Sequence, residues 1–256
     1  MLQEQWLSSP GDIDHTSEMS TIHLTPVRRS RLADALYGQL LMRIVNGDVA
    51  EGDRLPSEAE IGKMFGASRP VVRQALMQLQ VDGLVYSRKG AGTFVRMRPP
   101  ARLGDFAEPA DVASYLRSFE VRSALESEAA RLAAMRRTRN HLRAINDAAR
   151  ALEDAFGRRQ TGHDEDFRFH MAVAAATDNE LFVRLLEEMA DIVRGSIAMG
   201  LSLTRTGSDV RRNQVLKEHW QIADAIAARD ADTAALYMRF HLAQTRIRAT
   251  DARSEM

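Results

Sequence analysis

The sequence predicts two fold classes in one chain of 256 residues: a small α+β unit over residues 27–98, then an all-α antiparallel helical bundle over residues 111–250. Three observations carry this prediction. Residues 55–95 read LPSEAEIGKMFGASRPVVRQALMQLQVDGLVYSRKGAGTFV, in which helical periodicity gives way after Gly83 to two short β-rich runs. A break follows at Pro99-Pro100-Ala101-Arg102-Leu103-Gly104, a composition suited to an interdomain linker over 99–110. Beyond it, apolar residues recur at helical spacing as far as Thr250, with no strand-like alternation and no tandem repeat.

The elements of the first unit follow in order. Residues 1–26 hold four acidic residues and neither Lys nor Arg, the composition of a disordered acidic tail. Helical periodicity begins near Arg31, runs through Leu32, Leu36, Leu40, Leu41 and Ile44, and stops at Asn46-Gly47. Ser57 with Glu60 makes an S-x-x-E capping box for a short helix whose apolar face is Ile61, Met64 and Phe65. After the Gly66-Ala67 turn, Ser68 is placed to cap a second helix, where Pro70 is tolerated in the first turn. Val72, Ala75, Leu76 and Leu79 then form its inner stripe and leave Arg69, Arg73 and Gln74 facing outward. The runs Leu84-Val85-Tyr86 and Thr93-Phe94-Val95 flank a basic hairpin tip, Arg88-Lys89-Gly90-Ala91-Gly92. Helix, turn, helix and basic wing in that order make a winged helix-turn-helix, and they imply DNA. Arginines stand where a recognition helix approaches base edges, and a glycine-bracketed tip can approach phosphates closely.

In the second unit the pattern predicts six helices, at 111–135, 138–156, 163–176, 179–200, 208–229 and 231–249. Charge supports the division. The chain is neutral overall, yet the tail carries −4, residues 27–98 carry +5 and the remainder −1. The basic unit is the electrostatic footprint expected opposite a phosphate backbone. Length allows two separate cores. The absence of cysteine excludes disulfides and thiolate metal sites and fits a reducing cytoplasm. The longest apolar runs, such as 171–176, are far too short to span a bilayer, and the acidic N-terminus is neither a signal nor a transit peptide.

The helical half carries polar residues that a purely structural bundle would not need. Asp166 and His170 are four apart and share one helix face among Phe167, Met171, Val173 and Ala174. His219 lies near Val215, Ile222 and Ala223, and His241 beside Met238 and Leu242. Three imidazoles and one carboxylate suit a borderline divalent cation: zinc first, with nickel or manganese also compatible. Spacing alone leaves the plainer alternative open, since a histidine on an amphipathic helix is usually a hydrogen-bonded core side chain. His163, one heptad before His170, could share its face. Arg122 pairs by spacing with Glu126, either as an exposed ion pair or as a guanidinium aimed inward to hold a ligand carboxylate bidentately.

Residues 55–95 closely resemble the winged helix of the GntR family of bacterial transcription regulators. The helical half is similar to the FadR C-terminal (FCD) sensing domain, through Phe119-Glu120-Val121-Arg122, Leu125-Glu126, residues 129–134, residues 166–170, Glu218-His219 and His241-Leu242. Together these fragments span roughly residues 30 to 245. The resemblance implies Arg69 and Arg73 as operator readers, within a DNA-contacting set of Ser57, Ser68, Arg69, Arg73, Gln74, Lys89 and Gly90. Many relatives carry an arginine directly after the Ser-Glu of the first helix; here that position is Ala59. It implies Asp166, His170, His219 and His241 as metal ligands, and Arg122 as the arginine of a cavity for small carboxylates such as hydroxy acids or sugar acids. The long-chain acyl-CoA sensor lacks this ligand set, so a fatty acyl effector is disfavoured.

The expectation is a cytoplasmic homodimer that grips an inverted-repeat operator in double-stranded DNA, as a repressor controlled by a carboxylate at a metal. Two rivals stand beside it. A metalloenzyme fused to a DNA-binding module could use the same ligands to activate water, though no second-layer acid or base is evident. A regulator that answers to the metal alone would need no organic ligand.

Overall fold

The computed structural model describes residues 29–99, 108–205 and 209–250. The acidic tail over 1–26 and residues 100–107 of the 99–110 linker lie outside the described residues, and the linker's last two positions already belong to the helix that starts at Pro109.

Helix α1 (Arg29–Asn46) buries Leu36, Tyr37, Leu40, Leu41, Ile44 and Val45 and ends at Gly47, where φ is +83°. Leu32, expected on the same stripe, is about half exposed. Helix α2 (Glu58–Phe65) starts at the expected capping box: Ser57 Oγ accepts from the Glu60 amide, and the Ser57 amide donates to Glu60 Oε2 at 2.8 Å. Its inward anchor is Ile61, while Met64 is exposed, because eight residues offer room for one buried row. Helix α3 (Arg69–Val81) buries Val71, Val72, Ala75, Leu76 and Leu79. Ser68 occupies its N-cap position, but its side chain makes no capping bond. Strands β1 (Val85–Arg88) and β2 (Gly92–Val95) pair antiparallel from Val85 opposite Val95 to Arg88 opposite Gly92. Arg88 and Gly92 thus belong to the ladder, and the tip proper is Lys89-Gly90-Ala91.

Seven helices follow: α4 (Pro109–Arg136), α5 (Arg139–Gly157), α6 (His163–Ala175), α7 (Glu180–Glu188), α8 (Ala190–Arg205), α9 (Asp209–Ala227) and α10 (Ala231–Thr250). The sequence suggested one helix over 179–200; the chain instead breaks at Met189, with no Gly or Pro to announce it. The bend lets α7 pack on α6 while α8 crosses α4, α6 and α10. Two glycines permit that crossing. A Cβ on Gly195 would stand 2.2 Å from the Tyr115 ring of α4, and one on Gly200 would stand 2.6 Å from Thr245 of α10.

Helix α4 is central, packed by α10, α1, α8, α6 and α9. The expectation of two separate cores fails here. One continuous apolar cluster runs from Leu36, Leu41 and Leu79 of the first unit into Val112, Leu116, Ala133, Met238 and Leu242 of the second, because α1 lies against both α3 and α4. A smaller cluster of Leu152, Phe167, Leu186, Val193 and Ile197 closes the far side of the bundle. Ion pairs also cross the junction, Arg117 with Asp34 and Arg246 with Asp82.

Candidate metal centre and nucleic-acid interface

Asp166, His170, His219 and His241 come together from α6, α9 and α10. All four are buried, and one ligand atom from each lies within 4.8 Å of the others. His163 stays outside this group and instead contacts Thr161 at the start of α6.

Each imidazole meets an oxygen at its Nδ1. That of His219 lies 2.8 Å from the Val215 carbonyl, that of His241 lies 2.9 Å from Glu218 Oε2, and that of His170 contacts Glu126 Oε2. A carbonyl or carboxylate oxygen can only accept, so these partners assign the proton to Nδ1 and turn Nε2 toward the cluster. His219 Nε2 is buried with no hydrogen bond and stands 3.0 Å from Asp166 Oδ1. A carboxylate oxygen and an imidazole nitrogen thus face one another in a dry interior, a position that a cation, proton or metal ion, can bridge. The donor set therefore fits a divalent metal, although its identity does not follow from it.

The charges around the cluster are steeply coupled. Burial by itself would raise Glu126, yet Arg122 and His170 bring its pKa down to about 2. Burial likewise opposes ionisation of Asp166, and His219 and His170 hold it well below the usual carboxylate range. His170 is pushed up to about 9 by Glu126 and Asp166 against the effect of burial. Burial, and then the neighbouring His219, lower His241 to about 4, which leaves it neutral as a ligand must be. Two carboxylates thus demand a positive charge between them, whether a proton on His170 or a metal ion.

Arg122 is not an exposed ion pair. It is 1 % exposed, with Nε 2.6 Å from Glu126 Oε1, Nη1 2.9 Å from Ser196 Oγ and Nη2 3.4 Å from His170 Nε2. Beside it, a cavity of about 10 Å³ is lined by Arg122, Asp166, His241, Thr245 and Arg248 among others. Three of the polar groups here carried no role in the sequence reading. Glu218 is gripped by Arg248 through both oxygens, at 2.8 and 3.0 Å, and Ser196 meets Arg122 from α8. Glu218 adjoins a histidine in sequence; Arg248, two turns beyond His241, and Ser196 gave no local signal.

At the other end of the molecule, Arg69, Arg73 and Gln74 are exposed on α3, with Arg73 only loosely met by Glu58 at 3.7 Å. Such an exposed pair yields readily to a phosphate. Lys89 and Gly90 are exposed at the wing tip, where Gly90 adopts φ +75°. Ser57 spends its hydroxyl on the helix cap. The hairpin adds a feature unread from sequence: Tyr86 and Phe94 stack at 5.6 Å, with the Arg88 guanidinium 5.3 Å and that of Arg96 5.7 Å from the Tyr86 centroid.

Family profiles match both parts of the chain, one described as bacterial regulatory proteins, gntR family, over residues 32–95, the other as FCD domain over residues 117–244. The chain belongs to the GntR family, in its FCD-bearing group. It is 34 % identical over 197 residues to the Uxu operon transcriptional regulator of Escherichia coli (strain K12), covering 75 % of this chain and 76 % of that one. It is 30 % identical over 205 residues to the HTH-type transcriptional regulator LutR of Bacillus subtilis (strain 168), covering 78 % and 92 %. It is also 30 % identical over 223 residues to the putative L-lactate dehydrogenase operon regulatory protein of Escherichia coli (strain K12), covering 83 % and 84 %. This GntR-family protein is a DNA-binding transcription regulator, and the metalloenzyme alternative falls with that placement. No described helix is long and apolar enough to cross a membrane.

Proposed function

We propose that this regulator is a homodimeric repressor that grips an inverted-repeat operator through Arg69, Arg73, Gln74, Ser68 and the wing residues Lys89 and Gly90. Its affinity is set by a small carboxylate at a divalent metal, zinc before nickel or manganese, in the helical half. Asp166, His170, His219 and His241 hold the metal, which supplies Lewis-acid attraction for a carboxylate oxygen. Arg122, whose Nη2 stands against His170, is the second partner for that acid. The observation that carries the reading is the convergence of four buried ligand atoms, one each from Asp166, His170, His219 and His241, within 4.8 Å of one another. One relative is named for an L-lactate dehydrogenase operon, in keeping with a small carboxylate such as a hydroxy acid or sugar acid as effector class.

One observation favours the metal-only rival. The cavity beside the cluster, about 10 Å³, holds little more than a water molecule, so an organic acid must widen it. A thermal-shift screen of small carboxylates, run with zinc and again after EDTA, separates the two readings. Stabilisation by an acid only when metal is present is expected. A shift from zinc that no acid enlarges leaves the metal as sole signal, and no response to zinc or acid overturns both.

A further inference from the structure

Asp82 caps the C-terminal end of the recognition helix α3, and its side chain is fully buried. A carboxylate there opposes the negative end of the helix dipole and gives up its water, so local stability offers no reason for it. Gln78 of the same helix reaches its two oxygens only at 3.5 Å, and its closer partners come from elsewhere. Tyr37 of α1 donates its hydroxyl to Oδ2 at 2.6 Å, and Arg246 of α10 pairs with Oδ1. Burial, and then the Asp82 charge, push the Tyr37 phenol well above its ordinary pKa, which keeps it a donor. The full opposing charge therefore crosses from the helical half.

Arg246 lies five residues beyond His241 on α10, a separation of roughly 7.5 Å along a stiff helix. That one helix contributes His241 to the metal cluster, Arg248 to Glu218 and Arg246 to the DNA-reading unit. Beside the Arg246–Asp82 pair lies an open cleft of about 580 Å³, lined by Gly83, Phe119, Ser123, Arg239 and Ile247 among others.

We propose that Tyr37, Asp82 and Arg246 form a positioning strut that holds the end of α3 against α10 and links the state of the metal centre to the orientation of the recognition helix. The link rests on reading the Asp166 cluster as a metal centre. The strut itself does not.

Hydrogen exchange on the full chain tests both parts, with zinc and without it, in wild type, Asp82→Asn, Arg246→Gln and Tyr37→Phe. In the metal-free protein, loss of the pair should speed exchange over residues 78–84 by about tenfold or more while the rest of the bundle keeps its protection. Unchanged exchange there overturns the strut. If a charge-removing variant loosens the whole chain, Tyr37→Phe supplies a milder version, expected to show a smaller increase confined to the same residues. Zinc should slow exchange around the cluster and over 69–84 in wild type, but around the cluster alone in the variants. Zinc that protects only the cluster in wild type, or protects α3 equally in the variants, overturns the link. Failure of zinc to bind removes the metal reading and the link with it, while the metal-free comparison still decides the strut.

Discussion

Arg122 and Glu126 form a pair whose worth depends wholly on burial. On an exposed helix such an i,i+4 pair adds a few tenths of a kcal/mol. Here both side chains are at most 2 % exposed, and removing either leaves an uncompensated charge in the core. Glu218 acts at one remove from the proposed metal, because it fixes the His241 ring through Nδ1. Glu218→Gln keeps the shape and loses the charge, so zinc affinity should fall about 10–100-fold by chelator competition, with helicity intact. Affinity within twofold of wild type would show that Glu218 does not tune the site. The spacing of Asp166 and His170 was legible in the sequence, as was the apolar setting of His219 and His241. Their convergence was not, because helical periodicity gives the face of each helix and says nothing of which helix it meets.

At the scale of elements, local rules performed well where local forces dominate. The Ser57–Glu60 box, the turn at Gly66, the stripe of α3 and the hairpin all follow from residues within a few positions of one another. They failed at Met189, where tertiary packing of α8 bends a segment that reads as one helix, and at Ser68, which caps in position only. The recognition helix and wing should divide the labour of binding. Arg73→Ala is exposed and should leave the melting temperature unchanged while costing about 1–3 kcal/mol on the preferred DNA sequence. Lys89→Ala should weaken every sequence alike and lower the salt slope by about one. Fluorescence anisotropy across a salt series checks both; a sequence-independent loss for Arg73→Ala would take the recognition role from it.

At the scale of the whole molecule, one shared core and the Arg246–Asp82 pair join the winged helix to the helical bundle. A cation that binds the folded cluster should therefore stabilise the entire chain. Saturation at a hundred times its dissociation constant is worth about 2.7 kcal/mol. Scanning fluorimetry should show the melting temperature fall after EDTA and recover on adding zinc; an identical temperature in both states would mean that the cluster holds no metal. The sequence by itself determined the winged helix and the helical half, because each is written in short-range periodicity, caps and turn residues, and its resemblance to known regulators pointed to the family. Only the tertiary structure decided that Arg122 is buried, that Glu218, Arg248 and Ser196 complete the site, and that the two units share a core. Those facts depend on contacts between residues 74 positions apart, as in Arg122 and Ser196, or 164 apart, as in Asp82 and Arg246, separations at which no local pattern carries information.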